Sequence, residues 1–192
     1  MNFLAHAYLS FHQPEILVGN MISDFVKGKQ QYDYPIEIQK GIQLHRAIDA
    51  FTDAHPLTTS TKQYFVPAVG RYAGAFLDVA YDHFLACDIL AFHNDQALSD
   101  FAIEVYATLN EYVYLLPDNF KKILPNMQQY NWLYNYQFNW GIEKSFKSIA
   151  KRASFLENES NSMALFNQHY IAISISYESF FPALKQFVID NS

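Results

Sequence analysis

Six of the seven histidines fall within the first 93 residues, at positions 6, 12, 45, 55, 83 and 93, and aspartates stand at helical spacing to several of them. In LHRAIDAFTD, His45, Asp49 and Asp53 occur at i, i+4 and i+8, so one stripe of a helix would carry an imidazole and two carboxylates. LDVAYDHF repeats the spacing with Asp78 and Asp82, with His83 adjacent, and GNMISDF repeats it with Asn20 and Asp24. These polar groups sit among Ile48, Phe51, Leu77, Val79, Phe84 and Leu85, which should turn the helices carrying them toward a core. Several carboxylates held there would repel one another and resist ionisation. A divalent cation removes both penalties. Mixed imidazole and carboxylate ligands suit Mn²⁺, Fe²⁺ or Zn²⁺, and a carboxylate-rich set with water favours Mn²⁺ or Mg²⁺. The plainer alternative is a surface hydrogen bond for each single His/Asp pair. For Asp53, near a helix end, and His55, before Pro56, it is capping or exposure. His12, His93 and His169 have no periodic partner.

Such side chains need rigid elements to position them, and the composition favours helices. Of 192 residues, 51% are hydrophobic, 17% aromatic and 17% charged, with only 6 Gly and 7 Pro. Disorder and fibrous repeats are thereby excluded, and one domain spanning residues 1–192 is expected. Pro14 opens a helix whose apolar residues recur until Gly28. Pro35 opens another that ends at His55. Further elements are expected at about Arg71 to Phe92 and Gln96 to Leu116, closed by Pro117, with Asp118 capping a fifth. Pro125 to Trp140 lacks a clean period and reads as a loop or short helices, followed by a basic amphipathic helix from Gly141 to Arg152. The last element begins near Ser162 and should be interrupted or bent at Pro182, although YIAISIS (Tyr170 to Ser176) also reads as a strand. The balance is all-α.

The net charge of -6 opposes a general nucleic-acid binder. The single Cys87 excludes an internal disulfide and a polythiolate zinc site, which makes the cytoplasm the default compartment. No apolar run is long enough to span a bilayer, and MNFLAHAYLSFHQ lacks the basic leader of a signal peptide. A soluble protein is expected. Oligomeric state is not legible.

Four segments, NFLAHAYLS, GNMISDFVKG, GIQLHRAIDAFTDAHP and LDVAYDHFLA, give the chain a family likeness. It resembles the acyl carrier protein phosphodiesterases, or ACP hydrolases, a divergent branch of the HD phosphohydrolase superfamily. The resemblance implies an all-helical, single-domain HD-like fold and dependence on a divalent ion, Mn²⁺ first and Mg²⁺ or Fe²⁺ next. It implies hydrolysis of the phosphodiester joining 4'-phosphopantetheine to a serine of holo acyl carrier protein. It draws the metal ligands from His6, Asp24, His45, Asp78 and Asp82, with Asp49 and His83 close by. One departure is visible: the superfamily's adjacent His-Asp doublet is reversed here to Asp82-His83, and His45 is followed by Arg46.

Phosphodiester hydrolysis needs an activated water, neutralised phosphoryl charge and a proton for the departing alkoxide. Asp49 could orient the water, and His83 could donate the proton. Arg46, Lys27 and Asn20 are candidates to bind the substrate phosphate. Acyl carrier proteins are small, acidic and helical, so local positive charge must steer them. Lys144, Lys147, Lys151 and Arg152 gather on one arc of a helix, and Lys27 with Lys29 lies just beyond Asp24; one of these two patches is expected to dock the carrier. Two other functions compete: hydrolysis of a nucleotide or other small phosphoester by a relative of the same superfamily, and a non-catalytic helical protein holding a structural ion.

Overall fold

The computed structural model describes residues 1–152 and 161–191. Every regular element among them is helical: α1 (Phe3–Tyr8), α2 (Pro14–Ile22), α3 (Ile36–Ala54), α4 (Pro56–Thr61), α5 (Val66–Val69), α6 (Ala73–Ala86), α7 (Asp95–Glu111), α8 (Asp118–Gln129), α9 (Trp132–Asn135), α10 (Asn139–Arg152), α11 (Ser162–Gln168) and α12 (Tyr170–Asp190). Short 3₁₀ turns, among them Ser23–Phe25 and Gly28–Asp33, join several of these. One continuous hydrophobic core unites them. The architecture is all-α and single-domain.

The boundaries follow local chemistry, with several corrections to the expected ones. Helix α2 stops at Ile22, well before Gly28, because the chain tightens into the 3₁₀ turn that carries Asp24. Helix α3 ends at Ala54 with His55 extended, as Pro56 demands, and His55 Nδ1 accepts from Leu57 N–H to cap α4. Helix α6 ends at Ala86 instead of continuing to Phe92, and the Asp88 carboxylate holds the following turn by accepting from Leu90 N–H at 2.9 Å. Asn94 caps α7 through Ala97 N–H at 2.9 Å. The residue at the cap of α8 is Pro117, and Asp118 lies in the first turn without a capping bond. Its charge still complements the helix dipole.

Two stretches that the sequence left open resolve as helix. Helix α8 runs through Pro125 to Gln129, and α9 and the start of α10 follow it, so the aromatic region takes the short-helix alternative and not the loop. At the carboxyl end the break falls at His169, between α11 and α12, and α12 continues past Pro182. The YIAISIS segment is its first two turns, with Ile173 buried and Ile171 and Ile175 exposed. Burial on one face of a helix outweighs β-branched propensity.

Helix α6 is the central element. Phe76, Leu77 and every residue from Val79 to Ala86 are buried, the pattern of a helix surrounded on all sides. Phe65, Phe76, Phe146 and Phe166 pack around one end, with ring centroids 4.8 to 6.2 Å apart. Each such ring contributes about 1.5–3 kcal/mol on full burial. The closest helix pair is α2 against α3, crossing at Gly19 and Gly41. A Cβ on Gly19 would collide with Ile38 O and lie 2.8 Å from Gly41 Cα; one on Gly41 would meet Ile16 O. Only glycine at both positions permits backbone contact. That contact places Asn20 against His45.

Candidate metal centre

Four segments meet where α2 crosses α3. Helix α1 supplies His6, α2 supplies Asn20, the turn after α2 supplies Asp24, and α3 supplies His45 and Asp49. Asn20 is wholly buried, and its amide donates to His6 O at 2.8 Å and Ser10 Oγ at 3.1 Å. Those bonds fix which way the amide points, so its Oδ1 accepts from His6 Nδ1 at 2.8 Å. The backbone carbonyl of the same residue accepts from His45 Nδ1 at 2.7 Å. Both imidazoles therefore carry their proton on Nδ1 and turn Nε2 to the same place. The rings stack at 3.8 Å between centroids.

Asp49 faces both Nε2 atoms, with Oδ1 at 3.2 Å from His6 and Oδ2 at 3.2 Å from His45. Asp24 Oδ1 also lies 3.2 Å from His45 Nε2. The His6 contact lacks hydrogen-bond alignment, which leaves its buried Nε2 without a hydrogen-bond partner. An imidazole lone pair facing a carboxylate oxygen is repulsive unless a proton or a cation lies between them. One ligand atom each from His6, His45 and Asp49 lies within 4.8 Å of the others. Ligands about 2.0–2.2 Å from a shared ion would fall within about 4.4 Å of one another, so a small adjustment would seat one. The histidine side chains are 4% and 7% exposed, against 41% for Asp49 and 71% for Asp24. The cluster is dry on the imidazole side and open on the carboxylate side, which leaves room for a further ligand.

The electrostatics carry the same signature. Burial opposes charge on both rings. At His45 the bonds from Asp24 and Asp49 outweigh burial and raise its pKa to about 9. At His6 burial and the neighbouring His45 charge lower it to about 4. Burial would raise Asp49, but its contacts with His45 and His6 hold its carboxyl well below the usual range.

The acyl carrier protein phosphodiesterase family model matches residues 1–184. The chain belongs to that family. It is 34% identical to an acyl carrier protein phosphodiesterase of Klebsiella pneumoniae, over 97% of this chain and 96% of the relative. The corresponding proteins of Yersinia enterocolitica and Photorhabdus laumondii are 32% and 30% identical, over 96% and 97% of this chain and 95% and 94% of the relatives. No solved structure matches it.

Against the family-derived ligand expectation, the fold divides the candidates. Asp49, expected only nearby, stands at the centre, while Asp78 and Asp82 are otherwise engaged. Asp82 is fully buried and accepts from the backbone N–H groups of Asn2, Leu4 and Ala5 at 3.2, 2.7 and 3.3 Å, capping the start of α1. Burial pushes its carboxyl up to about 7 against the pull of those donors. Asp78 faces the Met1 amine at 3.1 Å, and burial raises its pKa as well. The same amine lies 3.5 Å from Asp49.

His83, the expected proton donor, is engaged on another face of α6. Its Nδ1 donates to Tyr136 O at 2.8 Å and its Nε2 accepts from the Tyr170 hydroxyl at 2.9 Å. Both nitrogens are occupied in a buried, neutral ring, and burial lowers its pKa. Lying one residue beyond Asp82, it points about 100° away around α6. Arg46 donates to Gln31 Oε1 at 2.8 Å and Val26 O at 3.3 Å, pinning the 3₁₀ turn instead of presenting a free guanidinium. Asn20 is buried, and its amide is engaged with His6 and Ser10 instead of facing the open side. Lys27 is exposed three residues beyond Asp24.

Within the expected docking patch on α10, Lys144 lies over the Trp140 and Tyr130 rings. Lys147 pairs with Glu143 at 2.7 Å, and Lys151 is exposed. The Arg152 side chain lies outside the described residues. No helix among the described residues is long and apolar enough to cross a membrane. Sequence reasoning missed the double role of Asn20 and the glycine crossing. The signals available for them were the adjacency of Gly19 to Asn20 and the position of Gly41 one turn before His45.

Proposed function

We propose that this chain hydrolyses the phosphodiester linking 4'-phosphopantetheine to a serine of holo acyl carrier protein. Water adds to phosphorus, the bond from phosphorus to the serine oxygen breaks, and a proton from water ends on that oxygen. The products are apo carrier and free 4'-phosphopantetheine. The observation that carries this reading is the convergence of His6 Nε2, His45 Nε2 and Asp49 on one point in a chain of this family.

His6, His45 and Asp49 would hold a divalent ion, with Asp24 beside them at the open side. Two imidazoles and a carboxylate suit Fe²⁺, Mn²⁺ or Zn²⁺, and of these the family likeness puts Mn²⁺ first. When bound, the ion supplies positive charge to the phosphoryl oxygens and lowers the pKa of water. The chain's own residues do the rest. Asn20 fixes both tautomers, the dry imidazole side keeps His6 neutral, and exposed Asp24 is placed to orient water at the mouth. Lys27, exposed three residues beyond Asp24, can meet the non-bridging oxygens or the acidic carrier. The alternation of His and Asp ligands across separate helices is in keeping with a divergent HD-like phosphohydrolase, and a cytoplasmic setting fits the lone cysteine.

The test is the intact mass of holo acyl carrier protein incubated with the protein and Mn²⁺. Loss of the phosphopantetheine mass, abolished by His45→Ala, is expected. Unchanged carrier alongside hydrolysis of a nucleotide would favour the small-phosphoester reading. Metal binding with no hydrolysis of either would leave a structural ion.

A further inference from the structure

A cavity of about 390 Å³ opens between α1, α8, α9 and α10, outside the His6/His45/Asp49 cluster. This is the size of a small-ligand site. Its apolar surface comes from Phe3, Tyr130, Trp132 and Trp140. Carboxamides from Asn2, Asn126 and Asn135 interrupt that surface, with the hydroxyls of Ser145 and Ser148 across from them on α10. Among the described residues Lys144 is the one charged residue in the wall, and its ammonium is engaged 5.0 Å over the Trp140 ring and 5.2 Å over Tyr130. A pocket for several phosphates would need more cations or a cradle of backbone N–H groups. A pocket for an acyl chain would not be lined with amides. This chemistry matches an uncharged chain in which amides alternate with short apolar stretches.

The amides have capacity to spare. Asn2 Oδ1 accepts from Phe3 N–H, which leaves its NH₂. Asn135 spends its NH₂ on Tyr130 O, which leaves its carbonyl. The exposed Asn126 also lies in the wall. Position is the second argument. Asn2 lies one Cα step, about 3.8 Å, from Met1, whose amine touches Asp78 and the same Asp49 oxygen that faces His6. The start of α1 is thus shared between cavity and cluster.

We infer that the cavity receives the pantetheine arm of the substrate while its phosphate lies at the cluster, an assignment that rests on the phosphodiesterase reading. The arm carries two secondary amides, a hydroxyl and a gem-dimethyl carbon, with no charge. The methylenes and methyl groups would lie on the aromatic faces, and the amides would exchange hydrogen bonds with Asn2, Asn126 and Asn135.

The chain has only two tryptophans, and both line this cavity. Their fluorescence therefore reports on it directly. Titration of the full-length protein with pantetheine, which has no phosphate to hydrolyse, should give a saturable change. Trp140→Leu, at a half-exposed position, keeps Trp132 as reporter and should raise the Kd about tenfold. Asn126→Ala, an exposed substitution that leaves packing intact, should raise it about three- to tenfold. A flat titration of the wild-type protein, unaltered affinity in both variants, or an equal response to adenosine 5'-monophosphate would overturn the assignment. Holo carrier cleaved by a protein that ignores pantetheine would remove the cavity proposal alone. Uncleaved carrier would remove the phosphodiesterase reading on which it rests.

Discussion

Asn20 does for two imidazoles what neither could do alone: with its side chain it fixes His6, and with its carbonyl it fixes His45. Partners of this kind are worth about ten- to a hundredfold in metal affinity. Asn20→Ala should lower Mn²⁺ affinity by that factor in a calorimetric titration, with the helix content unchanged by circular dichroism. The protonation states make a second residue-scale prediction. In the metal-free protein His45 has a pKa raised from 6.5 to about 9. Its contribution to stability is therefore complete below pH 6.5 and lost as pH rises through about 9. The Met1 amine, raised from 8.0 to about 10, acts in the same direction. The melting temperature of the metal-free protein should fall as pH rises from 6.5 to 10, and His45→Gln should flatten the lower part of that slope. Loading the site should reverse the trend, because a divalent ion displaces the His45 proton and binds more tightly as pH rises. Calorimetry in buffers of different ionisation enthalpy would count the released proton.

The elements decide which polar residues become ligands. Gly19 and Gly41 let α2 and α3 touch along their backbones, and the His45 to Asn20 bond exists because of that approach. Gly41→Ala should cost about 1–3 kcal/mol of stability through overpacking, read from the urea midpoint, and should weaken Mn²⁺ binding because Asn20 and His45 separate. Asp82 shows the converse. Its i, i+4 spacing from Asp78 suggested a ligand, yet α1 begins over α6 and takes the carboxylate for its own unsatisfied N–H groups. Asp82→Ala should destabilise the fold by about 1–3 kcal/mol, measured by thermal unfolding. His83 stands apart from the cluster for a related reason. Adjacency to Asp82 in sequence puts it on another face of α6, where Tyr136 and Tyr170 claim it.

At the scale of the whole molecule, a protein of net charge -6 has to attract an acidic carrier through a local field. The exposed face of α10 is the element suited to that. Paired charge reversal, Lys147→Glu with Lys151→Glu, should raise KM for holo carrier several-fold more than KM for a small phosphodiester, and the gap should narrow as salt is added. Equal effects on both substrates would remove α10 from docking. Much of the rest was written in the chain. The scarcity of Gly and Pro and the apolar periodicity determined the helical class, because a helix satisfies its backbone from local residues alone. The spacing of His45 and Asp49 determined that those two side chains share a face, since 3.6 residues make a turn wherever the helix is placed. Which carboxylates join the histidines was a matter for tertiary structure. His6 is separated from Asp49 by 43 residues, Asp24 from His45 by 21, and Asp82 from the backbone groups it binds by 77 or more, and no local periodicity carries information over such distances. The glycine crossing and the seating of α1 on α6 made that choice, bringing Asp49 to the imidazoles and giving Asp82 to the backbone.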